Sequence, residues 1–479
     1  MTTGRHLVVA LAGFTLAAVS GCASAPSPFE DTDLFLTNVS VIDIVTGDIA
    51  ADQIIAIRGD TILAIEDAER ARLPGNASIL ASGGYAVPGL WDMHVHAMSD
   101  PDLAITNHFP LFIANGITGI RDMASLVDGI LETRSRLDAD ESLPRPHLYV
   151  SGPLLDGQAL PWYGDLPLVL TTREDVEREL PRLKSVGMDF FKVYDAISLE
   201  AYEAVLEFAT ANDMRVAGHA PHAVDLKGAA ESGQRTIEHL SPFGLRDCVD
   251  EPDSWFRRSI SAKFNEGSDA YYALTIELFG ALDQAACQEA FAAMASNGTF
   301  FTPTLVMELN DASRVPSADL EYLRPESRDW CQAGLDSIAK ADPERREETF
   351  AGYIELLSQM RGAGITLLAG SDTPNNCLVQ GFSLHWELER LVEAGLTPLE
   401  AIQSATLHAA AAMDRSDDLG QVSPGFTADI LLLKTNPLDD ISNLRDISGI
   451  LANGRWFDEA ARSQMLQDVR AAFEIGEGE

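Results

Sequence analysis

The chain has 479 residues, 46% of them hydrophobic, an ordinary globular composition with room for one barrel of roughly 250 residues or more plus a second module. Its 73 acidic against 34 basic residues give a formal net charge of -39, a surface that repels nucleic acid and favours solubility but carries no information about fold. Two enzyme classes are excluded by motif: no Gly-x-x-x-x-Gly-Lys-[Ser/Thr] run provides a P-loop, and no Gly-x-Ser-x-Gly elbow provides a serine nucleophile.

Arg5 and His6 precede an apolar run, 7–19, that leads into Val19, Ser20, Gly21 and Cys22. This layout predicts a signal peptide over 1–21 with a lipid on Cys22, since the run is short for a membrane span. The alternative is an ordinary signal cut near Ala23 or Ala25 that releases a soluble protein. Ala23 after the cysteine suggests the outer membrane of a Gram-negative bacterium, so an exported cell-envelope lipoprotein is expected, held by its lipid alone. A tether follows over 22–32, and strand-like runs occupy 34–45, 53–57, 61–65 and 78–87. Further runs at 428–434 and 447–457 precede a helical stretch at 459–475. The economical arrangement is a small β-sandwich built from 33–88 and 413–479, with residues 89–412 inserted between its halves.

Within the insertion, buried-strand runs are expected at 90–96, 117–122, 147–155, 189–194, 214–219, 235–239, 299–306 and 365–372. Segments such as 199–210 and 223–232 carry helical periodicity between them. Strand–helix alternation predicts an α/β, (β/α)8 TIM-like barrel whose active site lies at the C-terminal strand ends. His94 and His96 leave the first strand on one face, because side chains alternate with a period of two, and two such imidazoles can grip a divalent metal. Lys192, His219, His239 and Asp372 each lie at or near the end of a later strand-like run.

These residues resemble the amidohydrolase superfamily, and within it the prolidase-like and imidazolonepropionase-like hydrolases. The resemblance runs from about residue 34 to 457 and includes the Pro-Gly-x-x-Asp-x-His-x-His entry at 88–96, Gly-Ile-Arg-Asp at 119–122 and Gly-Ser-Asp-Thr-Pro at 370–374. The exit segment 419–433 also matches. The resemblance implies a metal-dependent hydrolase that cleaves a C–N bond with a metal-activated hydroxide, on a small molecule such as a dipeptide or N-acyl amino acid. Two divalent ions are expected, zinc foremost, with one ion as the alternative. His94, His96 and Asp372 would hold one, and His219 and His239 the other. Lys192, as a carbamate, would bridge both, since a protonated amine would repel them. Asp372 would also move the proton from the attacking water to the leaving amine. The competing readings are a lactone, cyclic-amide or carbamate/ester hydrolase with a mononuclear site, and a non-catalytic surface lipoprotein, disfavoured because all six positions are filled.

Arg121 could pair with a substrate carboxylate or form a structural ion pair with Asp122 or another acid. Tyr194, two residues beyond Lys192, and His222, in the loop after the fifth strand, are candidate substrate contacts. Asp92 shares parity with the histidine pair and is a candidate brace, whereas Glu238 should point away from His239 in a regular strand, with a bracing role behind the ligands as the alternative. His108, His147 and His408 read as packing residues and His385 as helix surface. Two connections are long: 156–170, with Trp162 and Tyr163, and 241–296, with Trp255-Phe256 and Tyr271-Tyr272. Cys248, Cys287, Cys331 and Cys377 allow three pairings, between which sequence does not choose. Homo-oligomerisation is compatible with the sequence but not specified by it.

Overall fold

The computed structural model describes residues 29, 33–159, 163–239, 244–308, 316, 318–375 and 377–476. The expected signal peptide, the lipidated Cys22 and Trp162 lie outside these residues. No described helix is long and apolar enough to cross a membrane.

The two ends of the chain meet in one mixed, eight-stranded sheet rather than a sandwich of two. Strand Leu34–Ile42 is its pivot. On one side it pairs antiparallel with Ile49–Arg58, which in turn pairs with Thr61–Asp67. On the other side it pairs in parallel with Ser78–Ser82 and then with Tyr85–Pro88. The expected single run 78–87 is thus two short strands, divided at Gly83-Gly84. Ile430–Leu433 pairs with Tyr85–Pro88 and with Ile447–Ala452, which joins both chain ends into one ladder. That continuity is why no second sheet forms. Leu36, Val39, Ile55, Ile57, Ile430 and Leu432 make the core of one face, and Phe35, Ile54 and Ala56 that of the other. The helix Glu459–Gly476 closes the chain.

The central segment forms two all-parallel sheets. One contains Leu90–Val95, Ile117–Asp122 and His147–Val150. The other runs Pro167–Val169, Leu154–Asp156, Phe190–Val193, Arg215–Gly218, Thr236–Glu238 and Phe300–Thr302. The expected third strand, 147–155, is split between them, with its first part in one sheet and its second part in the other. Gly152, at φ 77°, supplies the left-handed turn at the split, a conformation that costs glycine little. The expected eighth strand makes only isolated parallel bridges, Phe301 to Leu367 and Val95 to Thr373. The strand ladders therefore do not form one continuous eight-stranded closure. The expected seventh strand is also shorter: it ends at Thr302, and a helical turn, Leu305–Glu308, replaces its last residues.

Helices pack outside these strands, each with one apolar face. Leu199–Ala211 is capped by Ser198, whose side chain accepts the Ala201 N–H, and it buries Tyr202, Val205, Leu206 and Ala209 against the strands. Each of its large apolar side chains, once buried, contributes on the order of 1.5–3 kcal/mol. The long connection 241–296 is helical, with Pro252–Ser261, Ser268–Ala281 and most of Gln284–Asn297. The cysteines pair as Cys248–Cys287 and Cys331–Cys377. The second bridge ties the segment just beyond Asp372 to helix Pro325–Lys340.

Candidate metal centre and active site

All six sequence-selected residues converge. The ring centroid of His94 lies 5.5 Å from that of His96 and 4.6 Å from that of His239, and the His219 ring follows at 5.0 Å from His239. Asp372 Oδ1 is 3.2 Å from His96 Nε2 and 3.6 Å from His94 Nε2. Lys192 Nζ is 3.3 Å from His94 Nε2. The tightest metal-competent trio among the described residues is His94, His239 and Asp372, with ligand atoms within 4.8 Å of one another. This trio cuts across the expected division into two ligand sets, because His94 sits centrally and touches both.

Local backbone geometry brings these side chains inward. Gly370 lets the last strand segment lie against the first, since a Cβ there would sit 2.9 Å from His94 Cβ and 2.6 Å from Thr302 Cγ2. His239, Thr304 and Asp372 all hold positive φ, at 71°, 46° and 57°. Such backbone is costly for residues with side chains and clusters at functional sites. At His239 it also breaks strand parity. Glu238 and His239 therefore both reach the centre, which the alternation argument did not foresee.

Each imidazole is engaged through Nδ1. The acceptors are Glu238 Oε2 for His94 at 3.1 Å, the Ala124 carbonyl for His96 at 3.1 Å, and Asp195 Oδ1 for His219 at 2.7 Å. His239 Nδ1 meets Thr304 Oγ1 at 2.9 Å. Fixing one ring nitrogen this way presents the other to a metal. His219 Nε2 and Asp372 Oδ1 are buried without a hydrogen-bond partner among the described residues, as atoms awaiting a cation would be. The donor set, imidazole nitrogens with a carboxylate, fits a divalent ion such as zinc.

Burial sets the charges. It drives His94 down to about 4 and His239 well below the ordinary imidazole range, which favours the neutral, ligating form. Burial lowers Lys192 to about 8. Burial opposes ionisation of Asp372, but the neighbouring His94, His96 and His239 hold its carboxyl well below the usual carboxylate range.

Arg121 is not at the mouth of the site. Its guanidinium donates to the Met93 carbonyl, Thr236, Thr302 and both oxygens of Glu238. The acid that pairs with it is thus Glu238. Asp92 braces the strands rather than the rings, accepting the Ser371 N–H at 2.9 Å and its hydroxyl at 2.6 Å. Burial raises the Asp92 carboxyl to about 7. The Tyr194 ring lies tilted against His219, with centroids 4.2 Å apart, and its hydroxyl is 3.2 Å from that of Tyr163. His222 packs edge-on to Phe256 at 4.6 Å, which brings the long helical connection alongside the site. His385 is buried, not surface, and bonds to the Asn115 carbonyl at 2.8 Å. His108 bonds to the Ala97 carbonyl, His408 to the Leu367 carbonyl and His147 to Asp429. Asp195 was missed in the sequence: it follows Tyr194 in a loop with no periodicity, and its partner is 24 residues away.

Known proteins resemble the whole assembly. Ochratoxinase from Aspergillus niger is 24% identical over 81% of this chain and 78% of its own. The structure of bottromycin amidohydrolase superposes with a TM-score of 0.72 at 23% identity, covering 92% of this chain and 90% of that one. A Xaa-Pro dipeptidase with methionine bound in its active site superposes with a TM-score of 0.63 at 20% identity, covering 89% of this chain and 100% of that one. The sequence matches the amidohydrolase family over residues 85–457, which takes in every strand that carries a candidate ligand. The chain belongs to the amidohydrolase family and is a hydrolase.

Proposed function

We propose that this hydrolase is metal-dependent and cleaves the C–N bond of a dipeptide or an N-acyl amino acid. The observation that carries the reading is the shared orientation of four imidazoles, each engaged through Nδ1, around a buried Asp372. Two structural relatives, an amidohydrolase and a dipeptidase, support the bond class. The two parallel sheets and the bridges through Leu367 and Thr373 are read as the eight strands of a (β/α)8 barrel, with the site at their C-terminal ends.

Bound divalent metal, most simply two zinc ions, would lower the pKa of water and polarise the substrate carbonyl. His94, His96, His219, His239 and Asp372 would hold it. Lys192 is buried and its amine is shifted toward the neutral form, the form that would add carbon dioxide and release a proton to give a carbamate able to hold metal. One Asp372 oxygen would ligate metal, while the other would accept the proton of the attacking water and return it to the leaving nitrogen. Tyr194 and His222 flank His219 and are assigned to substrate contact. Arg121, saturated by Glu238, positions His94 instead.

A panel of dipeptides, N-acyl amino acids, lactones and aryl esters, assayed with native and chelated protein, tests the reading. Chelator-sensitive turnover confined to lactones or esters would refute it. Export as a lipoprotein is part of the proposal, and incorporation of labelled fatty acid that survives Cys22→Ala would contradict it.

A further inference from the structure

Glu308 ends the short helix Leu305–Glu308 that follows the strand Phe300–Thr302. Its backbone N–H bonds to the Thr304 carbonyl at 3.1 Å, and Thr304 Oγ1 is the atom that braces His239. Glu308 thus follows that brace by one hydrogen-bonded turn. The turn is pinned from behind, where Glu387 Oε2 accepts the Val306 N–H at 2.9 Å. The charge of Asp372 bears on the Glu308 carboxyl, which agrees with this placement.

Glu308 is only 7% exposed. The Tyr353 hydroxyl donates to Oε2 at 3.4 Å, and Tyr353 is itself bonded to Tyr271 of the long helical connection. Oε1 accepts no hydrogen bond from the described residues. Lys263 is the nearest-acting cation, but it is exposed and forms no ion pair with Glu308. Burial pushes the Glu308 carboxyl up to about 7, and an ammonium group brought by a ligand would stabilise its ionised form.

We propose that Glu308 is a substrate-recognition residue that binds an alkylammonium group of the amide substrate. The group is either a free α-ammonium on the acyl side or a basic side chain on the amine side. The inference rests on the amide-hydrolase reading above.

The test compares kcat/KM for leucyl-leucine, N-acetyl-lysine and N-acetyl-leucine in the metal-loaded protein and in Glu308→Gln. One ammonium-bearing substrate should exceed N-acetyl-leucine by roughly tenfold or more, and that ratio should fall towards one in the variant. A ratio is independent of the fraction folded. The substrate that responds assigns the cation to the acyl or the amine side. If the variant does not fold, n-butylammonium replaces it as a probe: competitive inhibition of wild-type N-acetyl-leucine hydrolysis supports the proposal, and no inhibition overturns it. Hydrolysis without an ammonium preference, or a preference unchanged in Glu308→Gln, overturns the inference alone. Hydrolysis of none of the three overturns the amide reading itself.

Discussion

The two flanks of the centre are built differently. On the His94 flank, His94 and Lys192 are buried, and beneath them Glu238 and Arg121 tie four strands together through Met93, Thr236 and Thr302. On the His219 flank the ring is 19% exposed, its acceptor Asp195 is 26% exposed, and aromatic side chains replace the ion-pair network. A closed polar network fixes geometry at a high desolvation cost, whereas a half-open aromatic edge admits a ligand. The first flank is suited to holding ions and the second to meeting substrate.

That contrast orders the expected effects of substitution. Asp372→Asn, on the shared axis of both flanks, should lower kcat by ~10²–10⁴-fold while metal remains bound. Unchanged turnover in a metal-replete variant would remove Asp372 from proton transfer. On the buried flank, Glu238→Gln should weaken metal affinity by ~10–100-fold, measured by competition with a chelating dye, because His94 loses the anion that orients it. Equal affinity in variant and wild type would reduce Glu238 to a partner of Arg121 alone. On the open flank, Tyr194→Phe loses one hydroxyl contact and should raise KM by ~2–10-fold with metal content unchanged. A loss of metal there would erase the distinction between the flanks.

The smallest effect concerns stability away from the ions. Burial raises the Glu387 carboxyl to about 8, from an ordinary value of about 4.5. Its folded pKa is the higher one, so its contribution is fully present below about 4.5 and is lost as pH rises through about 8. The melting temperature of wild type minus that of Glu387→Gln should therefore fall between pH 5 and pH 8. A constant difference would show that Glu387 keeps no proton in the folded protein.

The ligands were legible because they obey two periodic rules. His94 and His96 share a face by the strand period of two, and Lys192, His219, His239 and Asp372 lie at or near the ends of apolar runs. What escaped depends on departures from periodicity. Glu238 was expected to point away from His239 in a regular strand, with a bracing role left open; the left-handed backbone at His239 breaks that regularity, and Glu238 meets His94. Arg121 could be narrowed to a pairing with some acid but not to Glu238, which is 117 residues away. The expected eighth strand failed as a ladder although its residues arrived where the site needs them. The expected sandwich became one sheet because strand 34–42 pairs on both edges, a choice that hydrophobic alternation does not encode.

The most direct test is metal content per chain, by elemental analysis of purified protein, read against amide hydrolysis before and after chelation. About two divalent ions per chain, falling towards one in Lys192→Ala, with activity lost on chelation and restored by added zinc, is the expected result. Full amide hydrolysis by protein stripped of divalent ions would contradict the metal-dependent mechanism outright.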